Sequence, residues 1–154
     1  MRDTDETYHG IQHDESVGAA QESRYRIFVE ESKEGPTARA TARVLRELRQ
    51  GYGKEGWSAL YFGWGYNGTG TSAAAWSILT DATGVEPADK LREAFAADVL
   101  TYLCDEWRLR RGAILRWARG WYAQHGIDVL PPAVAHLLPA SPWELESHGR
   151  ARLG

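Results

Sequence analysis

The chain is poor in cysteine, in lysine and in long apolar runs. Its 154 residues include one cysteine, Cys104, so no internal disulfide framework can form, and the usage fits a reducing cytoplasm. No stretch approaches the ~20 apolar residues that a membrane-spanning helix needs. The opening segment Met1-Arg2-Asp3-Thr4-Asp5-Glu6 is acidic and has no hydrophobic core, so it does not read as a signal peptide. A recognisable catalytic constellation is also missing. His9-x-x-x-His13 has the spacing of a helical metal pair but sits in an acidic, breaker-rich stretch. His125, His136 and His148 fall at or beyond the end of the last expected helix, with no cysteine other than Cys104 to join them. Cys104 itself reads as a small buried residue on an apolar helix stripe. Glu30-Glu31 and Asp105-Glu106 are adjacent carboxylates that point apart, unlike an acid/base pair. No enzyme activity, cofactor or metal is expected.

What is present is an ordinary globule with an uneven charge. Apolar residues make up 43% and charged residues 25% of 17.2 kDa, which fits one domain. Net charge is −3; residues 1–34 carry nine acids against four bases, and the other 120 carry twelve against fourteen. Such a balance argues against a protein that coats nucleic acid. Fifteen of the eighteen bases are arginine. That bias follows either from a GC-rich genome or from bidentate recognition of phosphate and carboxylate, which the guanidinium fork suits.

Hydrophobic periodicity predicts an α+β fold: a small N-terminal antiparallel sheet followed by about three helices. Tyr8–Gln12 fits a short strand. Arg24–Glu31 alternates, with Tyr25, Ile27 and Val29 on one face. Thr37 to Gln50 reads as a helix, capped by Thr37, carrying Ala40, Val44 and Leu48, and stopped by Gly51. The aromatic run Ser58–Tyr66 reads as a strand. A helix capped by Thr71 or Ser72 runs over Ala73–Thr83 and stops at Gly84. A second follows Pro87 with Leu91, Phe95, Val99 and Tyr102 on its stripe. A third spans Arg110 to Gln124 and buries Ile114, Ala118 and Trp121. These elements suggest an acidic arm over 1–23, a domain over 24–125 and a proline-containing tail over 126–154. Two or three strands make a poor independent sheet, so unless Tyr8–Gln12 joins them its completion in a homo-oligomer is expected.

The informative stretch is Gly63-Trp64-Gly65-Tyr66-Asn67-Gly68-Thr69-Gly70-Thr71-Ser72. Gly63, Gly65 and Gly68 have dinucleotide-fold spacing, but the next element is a helix rather than a parallel strand. Gly65 to Ser72 falls one residue short of a P-loop, with Thr71 where the phosphate-binding lysine belongs. What both motifs share survives: a glycine turn that aims backbone N–H groups at an anion from a helix N-terminus. Trp64 and Tyr66 offer flat surfaces for a base. The alternative is a tight turn whose aromatics fill the core. Arg108-Leu109-Arg110-Arg111, with Arg116 and Arg119 three apart on one helix face, is the strongest basic feature. It reads as a solvated face or as phosphate contacts to a nucleotide or nucleic acid.

Tyr61 to Leu79 resembles the signature of a small family of uncharacterised phage and plasmid domains, Phe-x-Trp-Gly-Tyr-Gly-Gly-Ser-Gly-Pro-Ala-Gln-Leu-Ala-Leu-Ala-Ile-Leu. That family opens with a Tyr-x-Gly strand, matched by Tyr8-His9-Gly10, and a hydrophobic strand, matched by Arg26–Val29. It continues with a helix centred on Phe, here Phe95, and a closing helix with Trp117 or Trp121. The resemblance is good over 58–121 and looser before; Asn67 replaces a glycine, Thr71 a proline, and 37–50 looks inserted. The layout is also similar to phage Thoeris anti-defence sponges. That likeness implies an oligomer in the host cytoplasm, binding a cyclic nucleotide such as a cyclic ADP-ribose isomer without cleaving it. The ligand would meet Phe62, Trp64, Tyr66, Asn67, Gly68, Thr69, Gly70, Thr71 and Ser72, with Arg108 and Arg111 on a second phosphate. Competing readings are an inhibitor of a host defence factor, its acidic arm mimicking nucleic acid, and a DNA-binding regulator using helix 110–124.

Overall fold

A computed structural model of the chain describes residues 6–12, 25–31, 41–45 and 62–138. The element order is β1 (Thr7–Gln12), β2 (Tyr25–Glu31), β3 (Thr41–Val44), α1 (Thr69–Thr83), α2 (Asp89–Asp98), a 3₁₀ turn (Leu100–Tyr102), β4 (Glu106–Arg110), α3 (Arg111–Gln124) and α4 (Pro132–Ala135). The strands form one antiparallel sheet in the order β3-β2-β1-β4. The class is therefore α+β, with the sheet drawn mainly from the N-terminal part and the helices following.

Alternation along the strands puts Tyr8, Ile27, Val29, Trp107 and Leu109 in the core. His9, Arg26, Glu30, Glu106, Arg108 and Arg110 take the opposite face. Helix α1 buries every residue from Ala73 to Leu79, a run that no one-faced amphipathic helix allows, so it is the central helix. Its alanines let neighbours approach closely. Two polar links fix it: the Tyr8 hydroxyl donates to Asp81 Oδ2 at 2.6 Å, and Arg111 Nε donates to the Ala82 carbonyl at 2.9 Å. Beyond α3, Val134 of α4 is fully buried in the same core.

Several expectations change. The helix expected over 37–50 is, where described, the strand β3, with Leu45 N–H bonded to the Ile27 carbonyl. β-branched Thr41 and Val44 favour a strand, and an available edge of β2 outweighs the four-residue spacing. Of the strand expected over 58–66, residues 58–61 lie outside the described residues and 62–66 are irregular. Helix α1 begins at Thr69 with Gly68 as N-cap, so neither Thr71 nor Ser72 caps it. Tyr102 leaves the helical stripe and is exposed, because the chain tightens into the 3₁₀ turn after Asp98. Cys104 is likewise exposed, in the link to β4, not buried on a helix. Arg110 ends β4 instead of starting a helix. That fourth strand joins β1 within the same chain, so the sheet needs no partner to reach four strands. No helix among the described residues is long and apolar enough to cross a membrane.

Candidate functional site

The turn Phe62–Gly68 leads into the first turn of α1, and backbone bonds hold it at both ends. Gly63 N–H donates to the Gly70 carbonyl at 3.0 Å, and Gly65 N–H donates to the Leu100 carbonyl at 2.9 Å. Gly65 sits at φ +80°, in the left-handed region that favours glycine. Gly63 and Gly68 are required by a close approach: the Tyr66 ring folds back across both, and a β-carbon at either would run into it. Thr71 Oγ1 then donates to the Tyr66 carbonyl at 2.6 Å and closes the turn.

At the start of α1 the N–H groups of Thr69, Gly70 and Thr71 have no intrahelical acceptor. The first helical bond is Ser72 N–H to the Gly68 carbonyl, at 3.0 Å, and no side chain caps the end. There is no acidic residue in the first turn. Donors without an acceptor among the described residues, of which only Thr69 is exposed, therefore coincide with the positive end of the helix dipole, an arrangement suited to an anion. Tyr66 is 47% exposed beside it. Burial of its inner part, with Tyr25 nearby adding a smaller effect, pushes its phenol above the ordinary tyrosine range.

The expected site residues divide. Tyr66, Asn67 and Thr69 are exposed at the turn, Gly68 and Ser72 are half-buried, and Gly70 and Thr71 are buried with their backbone in the first helical turn. Phe62 and Trp64 belong to the core. Trp64 is only 3% exposed, edge-on to Tyr25 at 4.6 Å and to Trp107 at 5.3 Å, so it offers no open face to a base. The arginines are not brought to the turn. Arg111 is 7% exposed and spends its Nε on Ala82, which lies roughly 20 Å along α1 from Thr69 at 1.5 Å per residue. Arg108 points to the other face of the sheet, beside Glu30 at 3.4 Å and Glu106 at 3.8 Å.

Trp107, in the aromatic cluster behind the turn, goes unnoticed in the sequence, and Tyr25, expected on one face of its strand with Ile27 and Val29, joins it against Trp64. Trp107 packs over Gly10, where a β-carbon would collide with its indole. The Trp64 and Trp107 Nε1 atoms are buried without an acceptor among the described residues. His9, expected as a chance or solvated histidine, lies between carboxylates: Nε2 is 2.5 Å from Glu106 Oε2 and Nδ1 is 3.3 Å from Glu30 Oε2. No group of three or more potential metal ligands occurs among the described residues. His13 lies outside them.

The architecture is thus an α+β domain whose four-stranded sheet is backed by helices and whose central helix begins at an uncapped glycine turn. By sequence the chain belongs to a family of unknown function, DUF6166, whose model matches residues 23–120. The match spans β2 through most of α3 and includes the turn. No curated protein and no solved structure matches the chain.

Proposed function

We propose that the protein is a non-catalytic binding protein that seats a phosphate of a cyclic nucleotide at the N-terminus of α1. The observation that carries this reading is the start of α1 without a side-chain cap, at exposed Thr69 beside the exposed Tyr66 ring. Backbone donors and the helix dipole would hold the anion, and Tyr66 would stack on the base. Arg108 and Arg111 contribute nothing direct in this arrangement, so the backbone meets the ligand's charge in their place. Together with the sponge-like layout of the sequence, this supports an anti-defence protein of a phage or mobile element. In that role it would act in the host cytoplasm by sequestering an immune signal intact.

The test is to incubate the protein with a panel of cyclic nucleotides, including cyclic ADP-ribose isomers, then denature it by heat and analyse what is released. Sequestration returns the bound compound unchanged. A linear product would instead mark a phosphodiesterase, and the absence of binding across the panel would remove the reading.

A further inference from the structure

The free edge of β4 carries an inference independent of the ligand. Its register with β1 pairs Thr7 with Arg110, His9 with Arg108 and Ile11 with Glu106. Flanking bonds run from Gln12 N–H to the Asp105 carbonyl and from Arg111 N–H to the Glu6 carbonyl, at 2.9 and 2.7 Å. Since antiparallel ladders alternate, residues 105, 107, 109 and 111 turn their backbone toward β1. Glu106 and Arg108 therefore turn their N–H and C=O outward and Arg110 its N–H, its carbonyl being at the N-cap of α3, and all three residues are exposed. No bond from these outward groups occurs among the described residues. Such an edge is a template for another strand.

We propose that this edge pairs with the same edge of a second copy, antiparallel and centred on Arg108. A two-fold axis there sets Arg108 against Arg108, Glu106 against the partner's Arg110, and Arg110 against the partner's Glu106. The Arg108 pair exchanges both of its bonds, while in each outer pair the Arg110 N–H donates to the partner's Glu106 carbonyl, since the Arg110 carbonyl serves the first turn of α3. The charges are self-complementary at both ends, where a strand of one sign would repel its copy. At the centre the two like charges are offset, because Glu30 and Glu106 already flank each Arg108. Two four-stranded sheets would become one continuous sheet.

Sedimentation of the purified chain should show a dimer. Arg110→Glu, which faces the partner's Glu106, should yield a monomer, and adding Glu106→Arg to it should restore the dimer with its charges reversed. Glu106 also contacts His9, so that double variant risks misfolding. A second variant avoids this: Arg108→Pro removes an N–H that faces outward and no backbone bond within the chain, losing otherwise only the exposed side-chain contacts to Glu30 and Glu106, and it should also be monomeric. On the wild type, residue-resolved hydrogen exchange should show the amides of Arg108 and Arg110 protected along with those of Trp107 and Leu109. A wild type that stays monomeric at its highest soluble concentration would overturn the proposal. So would an Arg110→Glu variant that remains dimeric, or outward amides that exchange freely in a wild-type dimer.

Discussion

Individual residues show how one spacing can be mistaken for another. The glycines at 63, 65 and 68 carry the spacing of a phosphate-binding loop, yet two of them are set by the Tyr66 ring and the third by a positive φ. Gly65→Ala should therefore destabilise the protein by about 1 kcal/mol or more, since alanine resists that conformation; urea denaturation will measure it. Gly10→Ala forces a β-carbon into the Trp107 indole, an overpacking that should cost about 1–3 kcal/mol in the same assay. Tyr66 yields an alkaline prediction. Its phenol is raised in the folded state by burial and then by Tyr25, so its contribution is complete below the ordinary tyrosine range and is lost as pH climbs through the raised value. Spectrophotometric titration of wild type against Tyr66→Phe should show the missing phenol as a late-titrating one. Tyr66→Ala should weaken ligand binding by roughly 1–3 kcal/mol, the scale of base–aromatic stacking, whereas Tyr66→Phe should bind nearly as wild type.

At the level of elements, the helices are legible in the sequence and the strands only in part. Ile114, Ala118 and Trp121 repeat at helical spacing and are buried on α3, and Gly84 ends α1 where its position suggests. β4 is hidden because its outward residues are Glu106, Arg108 and Arg110. Read as a string, they merge with the arginines of α3, and only the alternation of Trp107 and Leu109 betrays the strand. β3 is hidden for a different reason. Its short segment has a helical repeat, and what decides its state is pairing with the edge of β2, which the spacing of its own residues does not reveal. The glycine turn at a helix start with Tyr66 beside it was legible, but the lack of a side-chain cap was not, because Thr71 and Ser72 read as caps and lie inside α1. The arginine half was not, because Arg111 is consumed by a carbonyl near the far end of α1 and Arg108 by carboxylates across the sheet. The link between β1 and α1 is itself testable. Tyr8→Phe deletes a hydrogen bond to the Asp81 carboxylate and should cost about 1.5–3 kcal/mol, the usual range for a charged acceptor, with an unchanged denaturant slope.

For the whole molecule, the sheet is completed from the chain's own β4, so the need for a partner to supply strands disappears, while the free edge that β4 presents creates a different route to a dimer. The turn and β4 are neighbours, since Trp64 packs against Trp107 at 5.3 Å, but the two proposals rest on different residues, Tyr66 and Thr69 for the ligand and Glu106, Arg108 and Arg110 for the edge. Ligand binding and self-association can therefore be measured separately. The account's central claim is that an anion sits at the start of α1. The most direct measurement is an amide-resolved NMR titration with the cyclic nucleotide panel. The account predicts that the amides of Thr69, Gly70 and Thr71 shift most, with the Tyr66 ring following, while those of Arg108 and Arg111 stay in place. Saturable binding that moves other amides and leaves these three unchanged would contradict it.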